Sequence, residues 1–368
     1  MENYIGLHKT QLNTPVLVID KEKLLHNIKA MQSFARSRNI NLRPHAKTHK
    51  CSHIAKLQIE AGCIGICVTK VSEAYELAKN NIKGILITSP IASDNKMQML
   101  IDVLKIAPDT ILVIDNIDTA NRLNKLLIQN NKTLNALLDI DGGNARTGVG
   151  FDQAIITARA INNLSNINFR GIQCYSGHIQ HIKNIIQRGK VSTEILHKAG
   201  KIKQALIAEG IDCRMQTGSG TGTFSIDATV EAVTEIQPGS YTVMDQEYSE
   251  IEFGEIRFLN AMTMLCSVIS ANHKTHITVD AGTKAMYKVD TKPHIISHPH
   301  LIYDWAGFGD EHAKITSIDH TKLPGLGEVI ELVVGHCDPT INLFDKFFVT
   351  ENDIVIDCWN IDLRGKCQ

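Results

Sequence analysis

The feature that most constrains this chain is a change of rhythm near residue 250. Before it, short apolar runs rich in β-branched residues recur with helix-patterned stretches between most of them, the pattern of strands and helices alternating around a parallel sheet. Nine such runs can be read, at 15–20, 41–46, 64–69, 84–89, 110–115, 135–141, 169–177, 212–218 and 232–239. The stretch "KVSEAYELAKNN" is typical of what lies between them, with Val71, Ala74, Leu77 and Ala78 on one helical face. From about residue 256 the strands follow one another through turns with no helices between them, which predicts an antiparallel β domain.

Nine strands are one too many for a (β/α)8 barrel. Giving the first run, "PVLVID", to the β domain leaves eight, from Asn41 to Gly239. The prediction is a TIM-type barrel over 21–250 and a β domain made of 1–20 plus 251–368. A chain of 368 residues is long enough to build both. On this count Lys47, in "NLRPHAKTHK", follows the first barrel strand at the face where such barrels carry their active sites. It is then either the first solvated residue of a turn or an amine held in a pocket as a nucleophile.

The loop after the seventh barrel strand, "MQTGSGTGTFS", bears on that choice. Gly218, Gly220 and Gly222 allow backbone to approach an anion, and Thr217, Ser219, Thr221 and Thr223 add hydroxyl donors. Barrel phosphate sites favour the loops after the last two strands. No Gly-Lys-Ser/Thr follows, so this is not a Walker loop. A reactive lysine after strand one and a phosphate cradle after strand seven together imply pyridoxal phosphate.

Composition removes other classes. Lys plus Arg number 38 against 39 for Asp plus Glu, a net charge of −1 that offers no general attraction to nucleic acid or acidic membranes. No apolar run reaches the length of a membrane span, and "MENYIGLHKTQLNTP" lacks a signal-peptide layout, so a cytoplasmic enzyme acting on a small molecule is expected. The nine cysteines are scattered through apolar runs and read as reduced packing residues, Cys63 and Cys67 included.

A run of motifs in order along nearly the whole chain carries a resemblance: "RPHAKTHK", "DGGNARTGVG", "CYSGHIQH", "TGSGTGTF", "QPGSYTVMD", "VDAGTKA", "GFGDEHA" and "HCDPTINLFD". Together they resemble the D-threonine aldolase and eukaryotic-type D-serine dehydratase family, pyridoxal phosphate enzymes of the alanine-racemase fold. The resemblance implies that Lys47 is the Schiff-base lysine. It implies that Thr217, Gly218, Ser219, Gly220 and Thr221 surround the cofactor phosphate, with Tyr241 a further phosphate or substrate neighbour. Arg146 would reach the polar edge of the cofactor ring. Gln173, Tyr175 and His178 would line the pocket, with Tyr175 and His178 in catalytic roles; strand alternation puts Gln173 and Tyr175 on one face. His49 is expected beside the cofactor and His53 on the surface.

His336 and Asp338 stand two apart, so on an extended segment both would point the same way. By itself such a pair is most often structural; the resemblance implies that it holds a divalent metal, with Cys337 pointing away. Aspartate in place of cysteine at the second ligand resembles the aldolase branch, and oxygen ligation suits manganese or magnesium over zinc. The resulting expectation is a metal-assisted lyase that splits D-β-hydroxy amino acids into glycine and an aldehyde, as a homodimer. A D-serine or D-3-hydroxyaspartate dehydratase is the alternative on the same scaffold. A racemase would need a second base opposite Lys47, and a non-catalytic pyridoxal phosphate carrier would have little use for "GHCDPT".

Overall fold

The strand Val16–Asp20 ends at a residue that starts the next element, because the Asp20 carboxylate accepts the Lys23 N–H at 3.1 Å and caps the helix Lys21–Ser37. Leu24, Ile28, Met31 and Ala35, spaced by three and four, form that helix's buried stripe. The computed structural model describes residues 4–305, 309–318 and 323–368; Gly307 and Phe308, which open the "GFGDEHA" motif, lie outside them.

Eight strands form one parallel sheet in the order Asn41–Leu42, Glu235–Ile236, Met215–Gly218, Ile167–Tyr175, Leu134–Asp141, Ile111–Ile114, Ile85–Ile87 and Ile66–Val68. A parallel bridge between His45 and Cys67 joins the two ends, with the Ala46 N–H on the Cys67 carbonyl and the Cys67 N–H on the Pro44 carbonyl, both at 2.8 Å. The sheet therefore closes on itself as a (β/α)8 barrel. Period-two alternation sorts its side chains. Ile66, Val68, Ile85, Ile87, Leu112 and Ile114 pack outward under the helices, while Cys67, Leu86, Ile111, Val113 and Leu137, with Met215, fill the interior floor. Two residues further along their strands, Asp139 and Thr217 turn that interior polar, and Gln173 joins them.

Among the described residues the second sheet has nine strands. Its path runs Leu301–Asp304, Ala313–Ser317, Ile277–Val279, Met262–Ser270, Val16–Asp20, Lys346–Glu351 and Ile354–Asn360, with Val329–Val333 pairing both Met262–Ser270 and His294–Ile295. It departs from the antiparallel expectation at one place, since Val16–Asp20 runs parallel to Lys346–Glu351. The expectation of no helices after residue 256 also fails locally: Cys337–Ile341 forms a short helix. The segment leading into it docks on the barrel, the Gln246 and Glu247 N–H groups donating to the Val334 and Gly335 carbonyls at 3.0 and 3.1 Å. Among the described residues no helix is long and apolar enough to cross a membrane.

Candidate active site

At the C-terminal ends of the barrel strands lies a cavity of about 440 Å³, closed on one side by His336 and Asp338 from the second sheet. Lys47 and His45 enter it from the segment that follows Asn41–Leu42. Thr88 Oγ1 donates to the Val68 carbonyl at 3.1 Å, so it accepts from His45 Nε2 at 3.0 Å. That fixes the proton on Nε2 and leaves Nδ1 to accept the Lys47 N–H at 3.3 Å. Burial and the neighbouring Lys47 hold the His45 pKa well below the ordinary histidine value, so this imidazole is neutral. Burial also pulls the Lys47 amine down, but Tyr175 and Asp338 outweigh it and its pKa stands above that of an ordinary lysine. Lys47 Nζ and Arg146 Cζ stand 5.9 and 5.6 Å from the centroid of the Tyr175 ring. Arg146 is aimed by its loop, because Asp141 Oδ1 accepts the N–H groups of Gly143, Asn144 and Ala145 at 2.9, 2.8 and 3.1 Å.

Gln173 lines the cavity floor and is fixed from below. Its Nε2 donates to Asp139 Oδ1 at 2.9 Å and to the Thr88 carbonyl at 3.1 Å. Gln237 Nε2 donates to Thr217 Oγ1 at 2.9 Å, Thr217 donates to Glu235 Oε1 at 3.2 Å, and Glu235 takes a bidentate pair from Arg43 at 2.9 and 3.0 Å. All of these side chains are buried. A satisfied polar layer of this kind holds each member in one orientation.

The glycine-rich loop brings Ser219, Gly220 and Thr221 to the cavity, but not Thr217 or Gly218, which belong to the strand behind it. Thr217 shares the inward parity of Met215 and its hydroxyl is taken up by the polar layer. The glycines serve packing rather than open approach. A Cβ on Gly218 would sit 2.2 Å from the Cys174 carbonyl oxygen, and one on Gly222 would sit 2.0 Å from that of Gln180. Tyr241 is also corrected: its ring is fully buried and its hydroxyl accepts from Gln58, leaving only its backbone N–H, on Thr221 Oγ1 at 3.1 Å, near the site. His178 is exposed and outside the cavity; His181 lines it instead, its ring 4.7 Å from that of Tyr248. Alternation cannot be extended past Tyr175, because the chain turns at Ser176 into the 3-10 helix Gly177–Ile179. His49 is buried away from the cavity, its Nδ1 accepting the Cys51 N–H, and His53 stacks on Trp359.

His336 and Asp338 do reach one cavity, though not on an extended segment. His336 is the N-cap of the helix Cys337–Ile341 and Asp338 lies in its first turn. Asp245, fully buried, accepts from His336 Nδ1 at 2.9 Å and from the Cys337 N–H at 2.8 Å through Oδ2, and from the Tyr248 N–H at 2.9 Å through Oδ1. Burial pulls the His336 pKa down, and the Asp245 hydrogen bond with the charges of Asp338, Asp245 and Glu247 lifts it to about 9. Burial pushes the Asp338 carboxyl up, and Lys47 and His336 more than reverse this. Cys337 is fully buried, and burial holds its thiol protonated. Gln237 and Asp245 are the first and last residues of "QPGSYTVMD" and His181 ends "CYSGHIQH", but nothing local in the sequence singles them out within those motifs.

Residues 19–247 match the alanine racemase N-terminal domain, and residues 261–350 match a putative serine dehydratase domain. The D-threonine aldolase of an Arthrobacter species is 34% identical over 96% of this chain and 93% of its own. The chain belongs to the D-threonine aldolase and D-serine dehydratase family. The crystal structure of D-threonine aldolase from Filomicrobium marinum superposes with a TM-score of 0.92 at 30% identity, covering all of both chains. A D-threo-3-hydroxyaspartate dehydratase from a Delftia species is 25% identical over 75% of this chain and 73% of its own.

The site fits the two groups that this aldolase and dehydratase family implies. For pyridoxal phosphate, the cavity presents an amine at Lys47, and the N–H groups of Thr221 and Ser240, two buried residues that line it, have no acceptor among the described residues. Unmet buried donors are what a phosphate would satisfy. For a metal, His336 Nε2 has no partner among the described residues, and the Asp338 carboxylate accepts long hydrogen bonds from Ser240 Oγ at 3.3 Å and Cys337 Sγ at 3.4 Å, with the Thr48 hydroxyl and the Lys47 amine beside it. Asp245, His336 and Cys337 also stand within 4.8 Å of one another, but Asp245 is already engaged by three donors and Cys337 keeps its proton.

Proposed function

We propose that this protein is a metal-assisted, pyridoxal-phosphate-dependent lyase that cleaves D-β-hydroxy amino acids, D-threonine among them, to glycine and an aldehyde. The observation that carries the reading is the confrontation across one cavity of Lys47 with the His336–Asp338 corner. When bound, pyridoxal phosphate supplies an electron sink for charge developing at Cα, and a divalent ion supplies a Lewis acid for the β-hydroxyl.

The chain's own residues take the remaining roles. Lys47 would carry the cofactor, Thr221 and Ser240 N–H groups would receive its phosphate, and Arg146 with Tyr175 would hold its ring. His336 and Asp338 would hold the ion, manganese or magnesium before zinc because a carboxylate is a hard ligand. His181 would take the β-hydroxyl proton: its ring has no hydrogen-bond partner among the described residues, and burial, against the pull of Asp245, keeps its pKa below the ordinary value, so it is neutral at pH 7. Removing that proton breaks Cα–Cβ. If Lys47 instead takes the Cα proton, hydroxide leaves and the enzyme is a dehydratase. Aspartate at position 338 and the higher identity to an aldolase favour the first course. A homodimer and a cytoplasmic setting are proposed with it, on the family likeness alone.

The test is the product spectrum with D-threonine and manganese. Glycine and acetaldehyde are expected; 2-oxobutanoate and ammonia would move the enzyme to the dehydratase branch.

A further inference from the structure

We propose that Asp245 is a positioning residue that presents His336 Nε2 to the metal and ties metal binding to the docking of the second sheet on the barrel. The inference rests on the proposed function, in that it takes His336 as a ligand. Its own ground is the hydrogen-bond geometry around a carboxylate that belongs to the barrel side of the molecule, 91 residues before the histidine it touches.

Asp245 follows the last barrel strand and caps the short helix Gln246–Ser249. Its side chain is fully buried and accepts three hydrogen bonds of 2.8 to 2.9 Å, two of them on Oδ2. An ionised carboxylate can only accept, so His336 Nδ1 must carry the proton in that contact. Once Nδ1 is the donor, a neutral imidazole has its lone pair on Nε2 alone, the nitrogen with no partner among the described residues. The same oxygen holds the Cys337 N–H, and the neighbouring Gln246 and Glu247 N–H groups pair with the Val334 and Gly335 carbonyls. Asp245 thus fixes both the tautomer of the ring and the turn that carries it. Glu247 Oε2 lies 3.3 Å from the same Nδ1 but is partly exposed and is the weaker partner. Asp245 is not a ligand itself, because a metal on Oδ2 would have to displace both the imidazole and the Cys337 N–H.

Carboxylates placed behind metal-bound histidines typically account for about 10–100-fold in metal affinity. The experiment titrates Mn²⁺ into the cofactor-loaded wild type and into the Asp245→Asn, Glu247→Gln and His336→Ala variants, reading free Mn²⁺ by electron paramagnetic resonance. Melting temperature in chelator and cofactor absorbance serve as readouts that a loss of fold would move. Asp245→Asn should bind one ion about 10–100-fold more weakly, with little change in cofactor absorbance, while Glu247→Gln stays within about threefold. Binding within twofold of wild type would overturn the role. Loss as complete as in His336→Ala would make Asp245 a ligand and overturn it in the other direction. A parallel fall in melting temperature and cofactor content would reduce it to a fold element. If the wild type and His336→Ala bind Mn²⁺ equally, the metal site itself fails, and this inference with it.

Discussion

The two walls of the cavity are built by opposite means. The barrel wall is set by strand alternation and by backbone packed so closely that Gly218 and Gly222 admit no Cβ. The wall from the second sheet is set by charge: His336 and Asp338 sit on one short turn, held by a buried carboxylate from the other side of the molecule. A wall made by packing is fixed once its strands are paired. A wall made by a few polar contacts is fixed only while the two sheets are docked, and a single side chain can loosen it.

The largest way to break this contrast is to remove the one group that both walls address. Lys47→Ala should lower turnover on the order of 10⁴-fold and leave the purified protein without the absorbance of a covalently held cofactor. In the wild type, borohydride should fix the cofactor to the peptide containing Lys47. Another lysine in a quoted motif, Lys284 of "VDAGTKA", lies on the surface and pairs with Glu311 at 2.5 Å. Label at Lys284 would overturn the whole arrangement.

Next comes the charged wall alone. Asp338→Ala should cost about 10²–10³-fold in turnover, a loss of several kcal/mol of Lewis-acid assistance, while cofactor absorbance persists because the barrel wall holds it. Chelation should match it, and full activity in chelator would remove the metal from the reaction. Cofactor lost together with the metal would show that the walls do not act separately.

The same division explains what could be read from residues. Strands, the face of Lys47 and the pairing of Gln173 with Tyr175 follow from periodicity, which is local and repeats. Thr217 was within reach of the same rule, since it shares parity with Met215 and so points into the barrel. His178 and His181 were not, because the alternation ends at Ser176 and a 3-10 turn decides which imidazole faces in. Asp245 is a contact across 91 residues with no periodic trace. His336 and Asp338 share one cavity, as their spacing suggests, but they meet on a helical first turn rather than along a strand.

Within the packed wall a smaller effect separates two glycines. A Cβ on Gly222 meets the Gln180 carbonyl oxygen, a backbone atom, at 2.0 Å, whereas one on Gly220 meets the Gln180 side-chain oxygen at 2.4 Å, and moving that buried amide breaks its hydrogen bonds with the Gly222 N–H, the Ser176 carbonyl and Thr223 Oγ1. Gly222→Ala should therefore destabilise by about 3 kcal/mol and Gly220→Ala by about 2, the cost of overpacking against backbone exceeding that of displacing a hydrogen-bonded side chain. Chemical denaturation with the cofactor bound gives the order. Equal costs would mean that the loop yields as a whole and is not packed in the manner described.

The smallest effect tests the polar layer beneath the cavity through pH. Burial pushes the Asp139 carboxyl up to about 6, against the opposing hydrogen bonds from Gln173 and Thr147. Between about pH 4 and pH 6 the folded protein then holds a proton that the unfolded chain has released, so folding is linked to proton uptake. The stabilisation is full below the ordinary carboxylate value and is lost as pH rises through about 6. Asp139→Asn removes the titration and keeps the shape. The stability of wild type minus that of Asp139→Asn should fall by about 2 kcal/mol from pH 4 to pH 7 and stay flat above it. Taking the difference cancels the other carboxylates, which titrate in both proteins. A difference that rises with pH would mean that the hydrogen bonds from Gln173 and Thr147 outweigh the burial of Asp139, so that its ionised form stabilises the layer instead of costing it stability.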